Sequence, residues 1–175
     1  MNRKKNVVLI GMPGAGKSTV GVVLAKRLGL DFVDSDLVIQ QQEGKLLHQL
    51  IEGQGLEGFL ATENRINAAL TPTVTAVIAT GGSVVYGKEA MEHFQQIATI
   101  VYLQLELASL QERLGDLNER GVALKEGQTL ESLYEERLPL YRHYAEITIH
   151  CENKEIREIV EEIAGRLETG NTDKG

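Results

Sequence analysis

Cysteine and long apolar segments are scarce in this sequence of 175 residues. The one cysteine, Cys151, excludes a disulfide within the chain, which is typical of proteins in a reducing compartment. No apolar run reaches the roughly 18 residues that a membrane span needs. A short apolar run, Val7–Ile10, leads directly into a glycine-rich loop, so we predict a strand there rather than a signal peptide. We therefore expect a cytoplasmic protein that does not contact a membrane.

Positive charge is scarce as well. The chain has 18 lysines and arginines against 25 aspartates and glutamates, which gives a net charge of −7. This excess of negative charge argues against nucleic acid or an anionic membrane as a partner. The length predicts a single domain, which we place at residues 1–168, followed by a flexible polar tail at residues 169–175.

Short apolar runs alternate with helical patterns along the chain. Five runs predict strands, at Asn6–Ile10, Asp31–Asp34, Ala76–Ala79, Thr99–Gln104 and Ile147–His150. Helices are predicted at Ser18–Leu28, Leu37–Gly53, Phe59–Leu70, Lys88–Gln96, Leu107–Leu117, Thr129–Tyr144 and Ile156–Thr169. Strands separated by helices indicate an α/β fold, with a parallel sheet and helices on both faces.

The stretch GMPGAGKS, residues 11–18, matches the phosphate-loop pattern G-x-x-x-x-G-K-[ST] at every fixed position. Its glycines let the backbone curl so that successive N–H groups face one anion, and the helix N-terminus adds partial positive charge. Lys17 is predicted to reach the β- and γ-phosphates, and the Ser18 hydroxyl to ligate Mg²⁺. The alternative is a glycine-rich turn with an incidental lysine. We predict that the nucleotide is bound by Gly11, Gly14, Ala15, Gly16, Lys17, Ser18 and Thr19.

Other classes of nucleotide-binding protein fit the sequence less well. The N-K-x-D motif that reads guanine has its nearest match at Asn153–Ile156, which lacks the aspartate. The buried strand Ala76–Ala79 ends without the acid that motor and transporter ATPases place near Mg²⁺. Asp34 and Asp36, at the end of the second strand, are the candidate acids for the metal shell. The alternative for this pair is a solvated turn in which Asp36 caps the next helix.

The motifs, and their order along the chain, resemble those of the shikimate kinase family. The resemblance covers nearly the whole chain. The aspartates after the second strand, the glycine pair after the third strand and the segment ERLPLY, Glu136–Tyr141, all fall in family order. The resemblance implies a three-layer P-loop kinase fold with a five-stranded parallel sheet. It also implies a compact cytoplasmic enzyme, which we expect to be a monomer, that uses ATP and Mg²⁺ to phosphorylate a small hydroxy acid, shikimate.

The resemblance also implies roles for residues around the transferring phosphate. Asp34 would lie near the water shell of Mg²⁺, and Asp36 would hold the accepting hydroxyl and act as the base. Arg120 would stabilise the transferring phosphoryl group from a lid at residues 118–128. Arg113 would stack near the adenine.

Further residues would bind the acceptor by the same resemblance. Arg137 would hold the substrate carboxylate, and Gly81 and Gly82 would let the backbone approach the substrate. Phe59 and Glu63 belong to a family pattern, Phe-Arg-x-x-Glu, that contributes to the substrate site. A phosphoryl transition state gains mainly from positioning and positive charge, and planar arginine suits both phosphate and carboxylate.

Three departures from the family pattern affect this site. Ser83 stands where the family has a third glycine, and the lid reads Arg-Gly-Val-Ala-Leu, residues 120–124, where the family has Arg-Pro-Leu-Leu. Leu60 stands where the family has an arginine that would clamp the substrate carboxylate together with Arg137. Arg65 is five positions further along, off the Leu60 face of the helix.

The missing arginine leaves more than one substrate open. The enzyme either binds shikimate with one arginine, or it binds another hydroxy acid such as the zwitterion homoserine. In the second case Arg137 would take the carboxylate and Glu63 the ammonium. A nucleotide-binding regulator that has lost catalysis is a third possibility, but it is disfavoured by the presence of Lys17, Ser18, Asp36 and Arg120.

Overall fold

A computed structural model describes residues 6–114 and 122–174 of the chain. Its strands form one sheet in the order β2-β3-β1-β4-β5, and every neighbouring pair is parallel. The strands are β1 (Asn6–Ile10), β2 (Asp31–Asp34), β3 (Ala76–Ala79), β4 (Ala98–Gln104) and β5 (Ile147–His150). The predicted parallel sheet is confirmed, with β4 beginning one residue earlier than the pattern indicated. Because all strands run the same way, their carboxyl ends meet at one edge of the sheet.

Seven α-helices lie in the described part of the chain and cover both faces of the sheet, in a three-layer arrangement. They are α1 (Lys17–Leu28), α2 (Ser35–Glu43), α3 (Leu47–Ala68), α4 (Lys88–Ile97), α5 (Leu107–Arg113), α6 (Leu130–Tyr144) and α7 (Ile156–Thr169). α1 packs against α7 and β3, whereas α4 packs against α3 and β4. A short 3-10 turn, Val84–Tyr86, follows the glycine pair after β3.

The prediction of one continuous helix at Leu37–Gly53 is wrong, because the structure has two helices there, α2 and the first part of α3. α2 ends where Gly44 adopts a left-handed conformation, with φ of 67°. Such a glycine is a common helix C-cap because it has no Cβ to clash. The helix predicted to begin at Phe59 is the second part of α3, which is interrupted at Gly55, with φ of 73° and ψ of 174°.

Two apolar clusters make up the core. The larger one surrounds the central strands β1, β3 and β4, whose side chains are buried on both faces of the sheet. The smaller one, called here the α2–α3 cluster, contains the buried residues Ile39, Leu50, Phe59, Ile66 and Ala123. It ties α2 and α3 to the segment before α6, beside the carboxyl edge of the sheet.

The chain turns back along β5 after α7. Asp173 donates its backbone N–H to Glu146 O and accepts a bond from the Thr148 N–H at 2.7 Å. The expected flexibility of the tail stays a prediction, and these contacts count against it near Asp173. Among the described residues, no helix is long and apolar enough to cross a membrane.

Candidate active site

A cavity of about 280 Å³ opens at the carboxyl edge of the sheet, above β1, β2 and β3. Its lining brings together the phosphate loop, the start of α2, the second part of α3, the glycine pair after β3 and α6. The side chains that give it chemical character are Lys17, Ser18, Thr19, Asp36, Phe59, Glu63, Thr80, Ser83 and Arg137. Residues predicted from distant parts of the sequence for nucleotide and for acceptor therefore share one cavity.

The phosphate loop has the backbone that its glycines predict. Gly14 and Gly16 have φ of 83° and 91°, which few residues other than glycine adopt. The Lys17 ammonium lies over the loop and donates to Gly11 O at 2.7 Å and to Met12 O at 2.8 Å. Burial lowers the pKa of Lys17 to about 8. The cation is thus fixed at the N-terminus of α1, beside the backbone N–H groups that face an anion.

Ser18 and Asp34 form a pair of oxygen donors beside Lys17. The Ser18 hydroxyl donates to Asp34 Oδ2 at 3.1 Å, while Asp34 Oδ1 accepts the backbone N–H groups of Asp36 and Leu37. Asp34 is therefore the N-cap of α2, and the alternative that Asp36 caps this helix is wrong.

The oxygen pair suits a magnesium ion. Mg²⁺ takes hard oxygen ligands, keeps several waters and usually uses one or two protein groups together with phosphates. Within residues 6–114 and 122–174 no group of three or more histidine, cysteine or acidic side chains forms a metal cage. The Ser18 hydroxyl and the Asp34 carboxylate thus fit an ion that is completed by water and phosphate.

Asp36 places a carboxylate oxygen in the cavity wall without a partner. Its Oδ1 is buried and accepts no hydrogen bond from any described residue. Burial, together with the neighbouring Asp34 carboxylate, raises the pKa of Asp36 to about 6, although Lys17 acts to lower it. A buried oxygen without a donor is unfavourable, so this atom is suited to a hydroxyl that a ligand brings.

The two glycines after β3 are required by the side chains of the site itself. A Cβ at Gly81 would lie 2.7 Å from Asp36 Oδ1 and 3.1 Å from Glu63 Oε2. One at Gly82 would lie 2.8 Å from Arg137 Nη1. The resemblance implied glycines that let the backbone approach the substrate. The observed contacts give them an additional role, which is to let three charged side chains converge.

Glu63 is a buried carboxylate, 2% exposed, on the second part of α3. Its Oε1 accepts a hydrogen bond of 2.6 Å from the Ser83 hydroxyl. No lysine or arginine nitrogen from the described residues forms an ion pair with it. Burial raises the pKa of Glu63 to about 7, although the bond from Ser83 acts to lower it. Sequence reasoning noted Ser83 only as a departure and missed this contact.

Arg137 on α6 is 1% exposed and carries its charge into the same cavity. Its Nη2 donates to Ala123 O at 3.0 Å, and its Nε donates to the Tyr86 hydroxyl at 3.4 Å. The guanidinium carbon lies 5.4 Å from the centroid of the Tyr86 ring. The Tyr86 hydroxyl in turn donates to Glu136 Oε1 at 2.7 Å. Tyr86 was missed from the sequence because its link to Arg137 is made only by the tertiary fold.

The remaining predicted positions lie at the edge of the site. Phe59 is buried and lines the cavity, whereas Leu60 is half-buried, packs on the α2–α3 cluster and is absent from the lining. Arg65 pairs with Glu43 at 2.7 Å on the surface, so it does not replace the missing arginine.

The remaining predicted nucleotide-site residues are Arg113, Arg120, Ala15 and Thr19. Arg113 Nη1 donates to Gly14 O at 3.2 Å, which places it beside the phosphate loop. Ala15 is buried within the loop, and Thr19 lines the cavity. Arg120 and the first part of the predicted lid, 118–121, lie outside the described residues.

Comparison with known proteins gives consistent results. The family model for shikimate kinase matches residues 13–168. The chain is 37% identical over 168 residues to a curated shikimate kinase from Actinobacillus succinogenes, an alignment that covers 93% of this chain and 95% of that protein.

Solved structures agree in fold. The structure of shikimate kinase from Acinetobacter baumannii in complex with shikimate matches with a TM-score of 0.82 and 29% identity, covering 95% of this chain and 94% of the other. The crystal structure of shikimate kinase from Aquifex aeolicus matches with a TM-score of 0.80 and 30% identity, covering 94% and 97%.

Proposed function

Because this chain belongs to the shikimate kinase family, we propose that it transfers the γ-phosphate of ATP to a hydroxyl group of shikimate. The main structural support is the single cavity in which Lys17 and Ser18 of the phosphate loop lie with Asp36 and Arg137. This arrangement provides groups for a phosphate donor and for a carboxylate-bearing acceptor on adjacent walls. The same resemblance supports a monomer in the cytoplasm as part of the proposal.

The phosphate loop stabilises charge in this mechanism. Lys17 leaves its contacts with Gly11 O and Met12 O to donate to the β- and γ-phosphates, while the loop N–H groups hold the phosphate oxygens. Ser18 and Asp34 would hold Mg²⁺ with its waters, and the bound ion supplies charge that offsets the negative charge of the phosphates. Positioning and electrostatic stabilisation account for most of the catalysis of phosphoryl transfer.

Asp36 and Arg137 orient the acceptor. Asp36 Oδ1 accepts the hydrogen bond of the reacting hydroxyl and takes its proton as the hydroxyl oxygen bonds to the γ-phosphorus. The bond from that phosphorus to the oxygen bridging it to the β-phosphate breaks, and ADP leaves. Arg137 binds the acceptor carboxylate, a geometry for which the planar guanidinium is well suited.

A coupled assay of ADP release tests the proposal, with shikimate, homoserine and gluconate offered separately as acceptors. We expect turnover that depends on acceptor and is greatest with shikimate. Turnover with homoserine alone would identify the second candidate below. The absence of turnover with every acceptor, together with tight ATP binding, would indicate a nucleotide-binding regulator.

One observation favours homoserine as a second candidate. Glu63 is a buried carboxylate at the cavity wall that forms no close ion pair with a lysine or arginine among the described residues, and Leu60 supplies no charge nearby. The ammonium of an amino acid would provide the missing cation, while Arg137 would bind its carboxylate. Shikimate has no ammonium, so Glu63 distinguishes the two substrates.

Leu60→Arg is expected to lower KM for shikimate by about tenfold or more. A charge-assisted hydrogen bond contributes about 1.5–3 kcal/mol, and each 1.4 kcal/mol corresponds to about tenfold in binding. The measurement is the steady-state KM for shikimate and for ATP. Because the change is on the acceptor side, the KM for ATP is expected to stay within about threefold.

The same variant and Glu63→Gln distinguish the two substrates. If homoserine is the substrate, the new guanidinium repels its ammonium and pairs with Glu63, so Leu60→Arg raises KM. Glu63→Gln should then weaken homoserine binding by about a decade. A wild type that phosphorylates shikimate efficiently, with KM for shikimate unaltered in Leu60→Arg, would mean that Leu60 serves only to pack the α2–α3 cluster.

The segment before α6 is expected to change its amide hydrogen exchange when both ligands bind. Val122 and Ala123 line the cavity, and Ala123 O accepts a hydrogen bond from Arg137. Closure over nucleotide and acceptor should slow exchange in residues 122–128, as expected of a lid. Exchange that is the same with and without saturating ATP analogue and shikimate would argue against a lid.

A further inference from the structure

Ser83 is buried between the site and the core, at the start of the 3-10 turn that follows the glycine pair. It is 6% exposed and lines the cavity. Its hydroxyl donates to Glu63 Oε1 at 2.6 Å, a short bond to a carboxylate. Ser83 and Leu60 are both positions where the chain departs from the family pattern.

The two oxygens of Glu63 have different surroundings. Oε1 is held by the Ser83 hydroxyl, whereas Oε2 lies on the Gly81 side, 3.1 Å from where a Cβ of that residue would be. Gly81 also lines the cavity. With Oε1 fixed, rotation of the carboxylate is restricted, and Oε2 stays beside Gly81 at the cavity wall.

We propose, on the basis of the proposed function, that Ser83 is a positioning residue that holds Glu63 so that its second oxygen receives a donor group of the acceptor. That donor is a hydroxyl other than the reacting one in shikimate, or the ammonium in an amino acid. A neutral hydroxyl orients Glu63 without adding a positive charge beside it, and its hydrogen bond favours the ionised carboxylate. Ser83 thereby gives Glu63 a hydrogen-bond partner in a site to which Leu60 contributes no polar group.

The electrostatics of the cavity fit this assignment. Among the described residues, the charged groups that face Glu63 are Asp36 from α2, Lys17 from α1 and Arg137 from α6. The two cations act to lower the pKa of Glu63 and Asp36 acts to raise it, with burial the largest effect. The bond from Ser83 also lowers this pKa, so removing the hydroxyl should move the Glu63 titration to higher pH.

The test compares Ser83→Ala with wild type and with Ser35→Ala as a matched control. Ser35 is likewise a buried serine, but its hydroxyl makes no hydrogen bond with any residue in the described part of the chain, so its loss should alter nothing at Glu63. Ser83→Gly removes the hydroxyl in a second way and decides the question if the alanine variant folds poorly. The side-chain carboxyl ¹³C signal of Glu63 is identified as the one missing from Glu63→Gln, and its pH midpoint is measured in each protein.

Removal of the Ser83 hydroxyl is expected to raise the Glu63 midpoint, while Ser35→Ala leaves it at the wild-type value. KM for shikimate should rise about tenfold, with kcat and KM for ATP within about threefold. An unchanged midpoint, or an equal rise in both KM values, would overturn the positioning role. Failure of the wild type to phosphorylate shikimate would instead overturn the proposed function, and the Glu63 titration would still decide whether Ser83 holds Glu63.

Discussion

Lys17→Ala is expected to lower kcat by about 10³-fold or more, because it removes a fixed positive charge from the transferring phosphate. Loss of one preorganised group that stabilises developing charge typically lowers kcat by about 10²–10³-fold. Lys17 is also the charged side chain of the phosphate loop, so the reduction should be at or beyond the upper end of this range. The measurement is single-turnover phosphoryl transfer at saturating ATP and shikimate.

The fold of this variant should be preserved. Burial lowers the pKa of Lys17 from 10.5 to about 8, so the unfolded chain binds the proton more tightly than the folded one between these values. The free energy of unfolding that depends on Lys17 therefore decreases as the pH falls from 10.5 toward 8. At pH 7 the buried ammonium is charged and destabilises the folded state. Lys17→Ala should keep or raise Tm. The control is Lys26→Ala, which removes an exposed lysine from the same helix. A wild-type kcat in Lys17→Ala would refute the role of Lys17 in phosphoryl transfer.

Asp36→Asn is expected to lower kcat by about 10²–10⁴-fold, the usual effect of losing a general base. Asparagine keeps the shape and can still accept the hydroxyl hydrogen bond, but it cannot take the proton. Affinity for ATP should change little, because the Lys17 contacts and the capping bonds of Asp34 do not involve the Asp36 carboxylate. The measurements are kcat with shikimate and the Kd of an ATP analogue.

A matched control for this variant is available on β2, the strand that leads into α2. Asp31 is exposed at the opposite end of β2 from the cavity. Asp31→Asn therefore changes the net charge of the protein by the same amount as Asp36→Asn, without altering the cavity. A decrease in kcat of less than about threefold in Asp36→Asn would move the role of base to Asp34 or show that the transfer needs no base. An equal decrease in Asp31→Asn would mean that net charge, rather than position, is responsible.

The sequence predicted the elements whose signals are local. The strands β1, β3 and β4 were identified because buried parallel strands are nearly continuous apolar runs, and the phosphate loop because its motif depends on adjacent residues. The edge strands β2 and β5 are less buried and were identified as short strand-like runs. The helix break at Gly44 was missed, since a glycine is tolerated within a helical pattern and only the backbone reveals a left-handed conformation. The interruption at Gly55 falls in the gap that was predicted between the helices ending at Gly53 and beginning at Phe59.

Contacts between residues that are distant in the sequence could not be predicted for the site. Glu63 and Ser83 are twenty positions apart, and Tyr86 reaches Arg137 across 51 positions, so no periodicity indicates either contact. The sequence analysis proposed Asp34 and Asp36, at the end of the second strand, for the metal shell, and its alternative for the pair gave the capping role to Asp36. The structure assigns that role to Asp34, because the side chain at the N-cap position accepts the first free N–H groups of α2.

The most direct measurement is a competition between acceptors. Wild-type protein is incubated with ATP, Mg²⁺ and equal concentrations of shikimate and homoserine, and the phosphorylated products are identified by mass spectrometry, with Asp36→Asn as the catalytic control. The ratio of the two products gives the ratio of their kcat/KM values directly. We predict that shikimate phosphate is the main product and that its formation falls by about 10²–10⁴-fold in Asp36→Asn. Phosphohomoserine as the main product, or no phosphorylated acceptor at all, would contradict the assignment of shikimate as the substrate.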